Sequence, residues 1–186
     1  MELIPELRLG WLNGWIPVAA FYVVFALLMR LFPTEVVQRL YDRSGWTKEQ
    51  RLLSAVGLPF ALAGLVLIVF TPLKTGRPIF LVGTLLYALS FAGFVMALFD
   101  FKNTPPDRPV TKGLYRVSRN PQWVMFAGAL LGMGMAVGSG SVLLLFSVRV
   151  ACNHFRILGE EKACLERYGQ AYRAYMDRVP RYMLFF

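Results

Sequence analysis

The sequence predicts an all-α, polytopic membrane protein with five transmembrane helices and a cytoplasmic C-terminal amphipathic helix. Two observations carry this: the length of the uncharged runs, and where the basic residues fall between them. Uncharged runs cover residues 9–29, 52–73, 78–99 and 120–148. The first three have 21, 22 and 22 residues, close to the roughly 20 that cross a bilayer core. The fourth has 29 and is broken by Gly132, Gly134, Gly138, Ser139 and Gly140. It reads as helix four, a tight turn, and a fifth helix that continues to about Phe155. With five crossings the successive flanks hold 1, 5, 2, 5, 0 and 6 Lys and Arg residues. Alternate flanks then carry 16 against 3. Positive flanks stay cytoplasmic, so the N-terminus is expected outside and the C-terminus inside. Four crossings would put the six-charge tail outside.

Composition agrees. Hydrophobic residues make up 56% and mean hydropathy is +0.51, too apolar for a soluble domain of this length. The net charge of +9 borders apolar spans, which fits anionic lipid head groups and excludes a nucleic-acid module. Cys152 and Cys164 are twelve apart and His154 is the single histidine, so no metal site is expected. Glu2 and Glu6 stand where a signal peptide would be basic. Residues 1–186 read as a single integral membrane domain.

In chain order, helix one starts near Trp15-Ile16-Pro17, since proline suits a first turn. Residues 31–51 form a basic loop with a short surface helix over Glu35 to Tyr41. Pro59 lies inside helix two, where it is expected to kink it. The turn Lys74 to Pro78 makes helices two and three a hairpin. Pro105, Pro106 and Pro109 prevent regular helix in residues 100–121. Gly128, Gly132 and Ala136 form a small-residue stripe on helix four, which permits close packing. Gly138-Ser139-Gly140 turns the chain into helix five. Residues 156–178 read as one amphipathic helix, its apolar positions being Leu158, Leu165, Tyr168, Tyr172, Tyr175 and Val179.

Charge inside the membrane is expensive and marks function. Arg149, Asn153, Arg156 and Glu160 fall on one helical stripe. Arg149 is the one charge within a span away from its ends. It is expected to face a cavity, the alternatives being snorkelling or an ion pair with Asp100. A pocket here would offer Glu160 and Glu161, the cations Arg119, Arg149 and Arg156, and the aromatics Tyr115, Trp123, Tyr168 and Tyr172. That set suits a zwitterionic, partly aromatic ligand such as S-adenosylmethionine, though by composition NADPH fits too.

The segment Thr111-Lys112-Gly113-Leu114-Tyr115 followed by Arg119-Asn120-Pro121-Gln122-Trp123 resembles the pattern T-x-G-x-Y-x-x-x-R-[HN]-P-x-Y. That pattern belongs to the isoprenylcysteine carboxyl methyltransferase and phospholipid methyltransferase superfamily. The tail from Glu160-Glu161 through Leu165, Tyr168-Gly169, Tyr172 and Tyr175 to Val179-Pro180-Arg181 resembles its second motif, E-E-x-x-L-x-x-x-[FY]-G-x-x-Y-x-x-Y-x-x-x-V-P-R. In this chain the leucine is displaced by one place, with Cys164 in its slot.

The resemblance implies an integral membrane methyltransferase with an S-adenosylmethionine site in residues 110–181. Tyr115, Arg119, Asn120 and Pro121 would wall the cofactor, and Glu160 or Glu161 would hold its amino group. Trp123, Tyr172 and His154 complete the expected cofactor set. Arg149, Arg156 and Glu161 are the expected catalytic residues, the arginines to orient a carboxylate or thiolate and Glu161 or His154 as a base for an amine or hydroxyl. Asn120 replaces the usual histidine and cannot act as a base. Trp123 replaces the usual tyrosine and loses its hydroxyl. The expected acceptor is a lipophilic small molecule taken from the membrane lipids: a lipid, an isoprenoid derivative or a hydrophobic thiol. Cys164 with Arg167-Tyr168-Gly169 also resembles the longer, NADPH-dependent membrane sterol reductases. A non-enzymatic membrane scaffold is the third reading.

Overall fold

The computed structural model describes residues 1–43 and 46–183; Phe186, the C-terminal end of the expected topology, lies outside the described residues. Among the described residues seven α-helices follow one another: α1 (Trp15–Leu31), α2 (Thr34–Leu40), α3 (Lys48–Phe70), α4 (Pro78–Lys102), α5 (Pro121–Ala136), α6 (Gly140–Tyr168) and α7 (Gln170–Met176). One turn of 3-10 helix, Gly113–Arg116, precedes α5. Among the described residues extended pairing is limited to two isolated bridges, Glu2 with Ser139 and Asn13 with Pro72.

Each expected crossing is a helix. Three of them, α3, α4 and α6, are long and apolar enough to cross a membrane. The other two are shorter: α1 has 17 residues and α5 has 16. Pro121 starts α5 at its first turn. Pro59 sits inside α3 without ending it. A capping box, Thr47 with Gln50, starts α3.

The pairing of helices follows the small residues more than the turns. Although a short turn joins α3 to α4, α3 packs chiefly on α6 and α4 on α5. At the α4–α5 contact a Cβ on Gly132 would stand 2.5 Å from the Tyr87 backbone nitrogen. A Cβ on Gly83 would stand 2.5 Å from the nitrogen of Ala136. The expected stripe is thus a backbone-to-backbone contact. On the other pair, Gly64 makes room for the fully buried Phe146 ring. Residues 1–14 cross the end of the bundle that holds the two turns, fixed by Lys74 to Glu2 at 2.8 Å.

Two expectations at the opposite, motif-bearing end need correction. The helix over 35–41 is present, but it is no mere surface helix: Val36, Val37 and Leu40 pack against the main core. The expected single helix over 156–178 is broken. It passes from α6 to α7 at Gly169, whose φ of +54° and ψ of −126° belong to a region that side chains forbid. The break lets Tyr172, Tyr175 and Val179 fold back as a small buried cluster with Cys164, Leu165, Tyr168 and Met176. The apolar face of the tail is therefore covered by protein.

Candidate functional site

A cavity of about 700 Å³ opens at the motif end and reaches into the bundle, within the roughly 300–1,000 Å³ of ligand pockets. Its inner part is aromatic: Phe21 and Phe25 from α1, Phe94 from α4 and Phe126 from α5. Its outer part is polar, with Arg39, Tyr115, Arg119, Asn120, Glu160 and Tyr172. One face of α6 runs along both parts and contributes Arg149, Arg156, Glu160, Ala163 and Arg167, at spacings of 7, 4, 3 and 4 that keep them aligned.

The two sequence motifs meet at Glu161. This carboxylate is 5% exposed. Its Oε1 accepts from Arg119 Nε at 3.0 Å and Asn120 Nδ2 at 2.9 Å. Its Oε2 accepts from Arg181 Nε at 3.0 Å and Nη2 at 2.9 Å, and from Arg119 Nη2 at 3.4 Å. Bonding to Glu161 raises the pKa of Arg181. Arg119 spends its remaining donor, Nη1, on the carbonyls of Met176 and Val179, both at 2.9 Å. Three further bonds tie the motifs: Arg119 N to Pro180 O at 2.9 Å, Ser118 Oγ to Arg181 O at 2.8 Å, and Tyr175 Oη to Tyr115 O at 2.6 Å. Burial pushes the hydroxyls of Tyr115, Tyr172 and Tyr175 well above the ordinary tyrosine value. They are neutral donors at physiological pH.

Glu160 is the more accessible neighbour, its side chain 30% exposed. Oε1 accepts from Arg156 Nε at 2.8 Å, as the stripe predicts, and Oε2 from the Trp123 indole at 3.0 Å. The Arg156 guanidinium also lies over two indole rings, Trp123 at 4.2 Å and Trp46 at 5.0 Å. A carboxylate offers about four acceptor positions. Glu161 has filled its own, while Glu160 has two to spare. Glu160 is therefore the freer of the two to accept a further donor.

Arg149 lines the inner, aromatic part, and its Nη1 is buried with no hydrogen-bond partner among the described residues. A Cβ on Gly57 of α3 would stand 3.1 Å from that atom, so the glycine leaves the arginine its place. The alternative pair with Asp100 is not formed. Asp100 accepts from Leu114 N at 3.0 Å, pressed against Gly113, whose φ is +55°. Asn153, second on the stripe, is buried, and its Oδ1 also lacks a partner among the described residues.

Of the expected residues, Tyr115, Arg119, Asn120, Trp123, Arg149, Arg156, Glu160, Glu161 and Tyr172 line this one cavity. Pro121 and His154 do not. Pro121 is buried at the start of α5, and the His154 ring pairs with Tyr182 Oη at 2.6 Å. Sequence reasoning missed Arg39, Trp46 and Gln122, which also line it. The first two sit in what reads as a basic loop. Gln122 is a variable position of the first motif, between Pro121 and Trp123. Among the described residues no cluster of His, Cys, Asp and Glu is arranged to hold a metal.

Compared with models of known families, residues 60–171 match the one described as phospholipid methyltransferase, over more than half of the chain. The match contains the first motif and Glu160-Glu161, and leaves out α1, α2 and the tail from Tyr172 onward. No curated protein matches the sequence.

Proposed function

The chain belongs to the phospholipid methyltransferase family, and from that premise we propose that it transfers a methyl group from S-adenosylmethionine to a lipophilic acceptor at the cytoplasmic face of a membrane. The observation that carries the reading is the continuity of one cavity from an aromatic interior to a charged mouth. Three buried donors on residues that line it have no partner among the described residues: Arg39 Nε, Gln122 Nε2 and Arg149 Nη1. Unmade buried hydrogen bonds are costly, so three of them on residues lining one cavity fit a polar ligand with anionic or carbonyl oxygens.

When bound, the cofactor supplies an electrophilic methyl group on a sulfonium. The protein holds and orients. Glu160 would take the amino group with its spare acceptor positions. Tyr115 and Trp123 would flank the ring system and the cation. Arg119, Asn120 and Glu161 would act as the frame that fixes this wall, rather than as direct partners. Arg149 would orient an anionic group of the acceptor, whose apolar part would occupy the aromatic interior. Aromatic walls exclude water, and positioning in a dry site supplies much of the rate.

The acceptor most consistent with this wall needs no general base. His154 lies off the cavity, Glu161 is fully engaged by cationic and amide donors, and Asn120 is an amide. A carboxylate or thiolate can attack without losing a proton. We place five crossings in the membrane, with the motif end cytoplasmic. The test is a thermal shift in detergent with S-adenosylhomocysteine, S-adenosylmethionine and NADPH side by side. Stabilisation by the first two is expected. Stabilisation by NADPH alone would establish the reductase reading, and by none of them the scaffold.

A further inference from the structure

We propose that Arg39 is a ligand-binding residue: its Nε receives the carboxylate of an α-amino acid group whose ammonium sits on Glu160. The inference deepens the reading above and rests on it. Arg39 lies on α2, outside the residues matched by the family, and no motif points to it.

Its geometry separates a structural part from an unused one. Nη1 donates to Thr104 O at 2.9 Å and Nη2 to Phe101 O at 2.6 Å. These close the C-terminal end of α4, where a cation also suits the helix dipole. The guanidinium lies 4.1 Å over the Phe101 ring, which fixes its plane. Nε is then left buried without a partner among the described residues, on a residue that lines the cavity. Among the described residues no carboxylate pairs with Arg39. A residue that only capped α4 would need one end of the fork, and lysine could do it. Here a rigid fork is clamped at its tip, and the Nε–H goes unused on a residue that lines the cavity.

Glu160 supplies the complementary half. Arg39, Tyr115 and Glu160 line the same cavity, and each Glu160 oxygen holds one donor, which leaves two acceptor positions for a ligand. An α-amino acid end carries its ammonium and carboxylate on one carbon, and requires an acid and a cation bracketing a small space. A carboxylate on the acceptor would satisfy Nε equally well, so the experiment must separate the two sources.

Calorimetry in detergent uses two ligands that share the adenosine and thioether: S-adenosylhomocysteine, which carries the amino acid end, and 5′-methylthioadenosine, which lacks it. Each is titrated into wild type, Arg39→Met and Arg39→Lys. Arg39→Met should weaken S-adenosylhomocysteine about 10- to 100-fold, as for a charge-assisted hydrogen bond, and leave methylthioadenosine within about twofold. Arg39→Lys, which keeps charge at the cap but loses the Nε–H, should fall between, and it carries the test if the Met variant does not fold. Equal loss for both ligands means that Arg39 acts only through α4, and overturns the proposal. Unchanged S-adenosylhomocysteine affinity overturns it too, and moves Nε to the acceptor. Wild type that binds neither ligand removes the cofactor reading itself, whereas an undiminished preference for S-adenosylhomocysteine in the variants removes only the role of Arg39.

Discussion

Arg119 and Glu161 stand 42 positions apart in the sequence and form an ion pair of 3.0 Å, with both side chains at most 5% exposed. This pair joins the two motifs, and through Asn120 and Arg181 it fixes α6 against the start of α5 and the tail. A buried pair adds little against an apolar replacement, but losing one partner strands the other charge. Glu161→Gln should therefore lower stability by about 3–5 kcal/mol, read as the midpoint of thermal unfolding in detergent. Unfolding at the wild-type temperature would show the frame to be dispensable.

Glu160→Gln should behave in the opposite way. Its pair with Arg156 is partly exposed, so stability should change by no more than about 1 kcal/mol. Affinity for S-adenosylhomocysteine should fall by about 1.5–3 kcal/mol, the worth of a hydrogen bond to a charged group. Calorimetry on both glutamate variants decides the division of labour. A larger affinity loss in folded Glu161→Gln than in Glu160→Gln would return the cofactor role to Glu161.

Alkaline pH should loosen the motif end. Burial raises the pKa of Tyr115, Tyr172 and Tyr175 from an ordinary 10.0. For a group raised in the folded state, stability is complete below the unfolded pKa and is lost as pH rises through and above it. Unfolding temperatures should hold to about pH 9 and fall beyond about pH 10. Tyr172→Phe should flatten that fall, and an identical slope in the variant would remove Tyr172 from its cause.

The membrane helices were legible because lipid demands long uncharged runs, and the small-residue stripe was legible because close helix packing demands it. The α3–α6 and α4–α5 pairing was not, since a short turn between α3 and α4 suggests adjacency and Gly64 and Gly83 become informative only once their partners are known. At the site, periodicity placed Arg149, Arg156 and Glu160 on one face. It could not rank Glu160 against Glu161, because the donors that fill Glu161 come from Arg119, Asn120 and Arg181, distant in sequence. Arg39 and Trp46 were missed for a similar reason: a basic loop gives no sign that it folds over a cavity.

The proposal of five crossings with the motif end inside rests on the 16-to-3 charge asymmetry. Single cysteines at positions 2 and 186, introduced after replacing Cys152 and Cys164, should differ in intact cells. Position 2 should react with an impermeant maleimide and position 186 only after permeabilisation. Labelling of 186 from outside would reverse the orientation and move the cavity mouth to the other face.

Arg149 provides the sharpest separation of function from folding. A desolvated guanidinium with one nitrogen unpartnered is a cost to the fold. Arg149→Leu should remove that cost, so purified yield and unfolding temperature should hold or rise. The same change deletes the cation facing the aromatic interior beside Gly57. Methyl transfer to an acidic acceptor should then fall about 100-fold, as for loss of a charged positioning bond of roughly 3 kcal/mol. Affinity for S-adenosylhomocysteine should stay within about threefold, since the polar half is intact, a difference of under 1 kcal/mol. Assays of transfer across carboxylate, thiol and amine amphiphiles, run on wild type and variant together, read the result. Wild-type turnover in the variant on every acceptor would show that Arg149 orients nothing. A loss confined to acidic acceptors would identify what the inner cavity was built to hold.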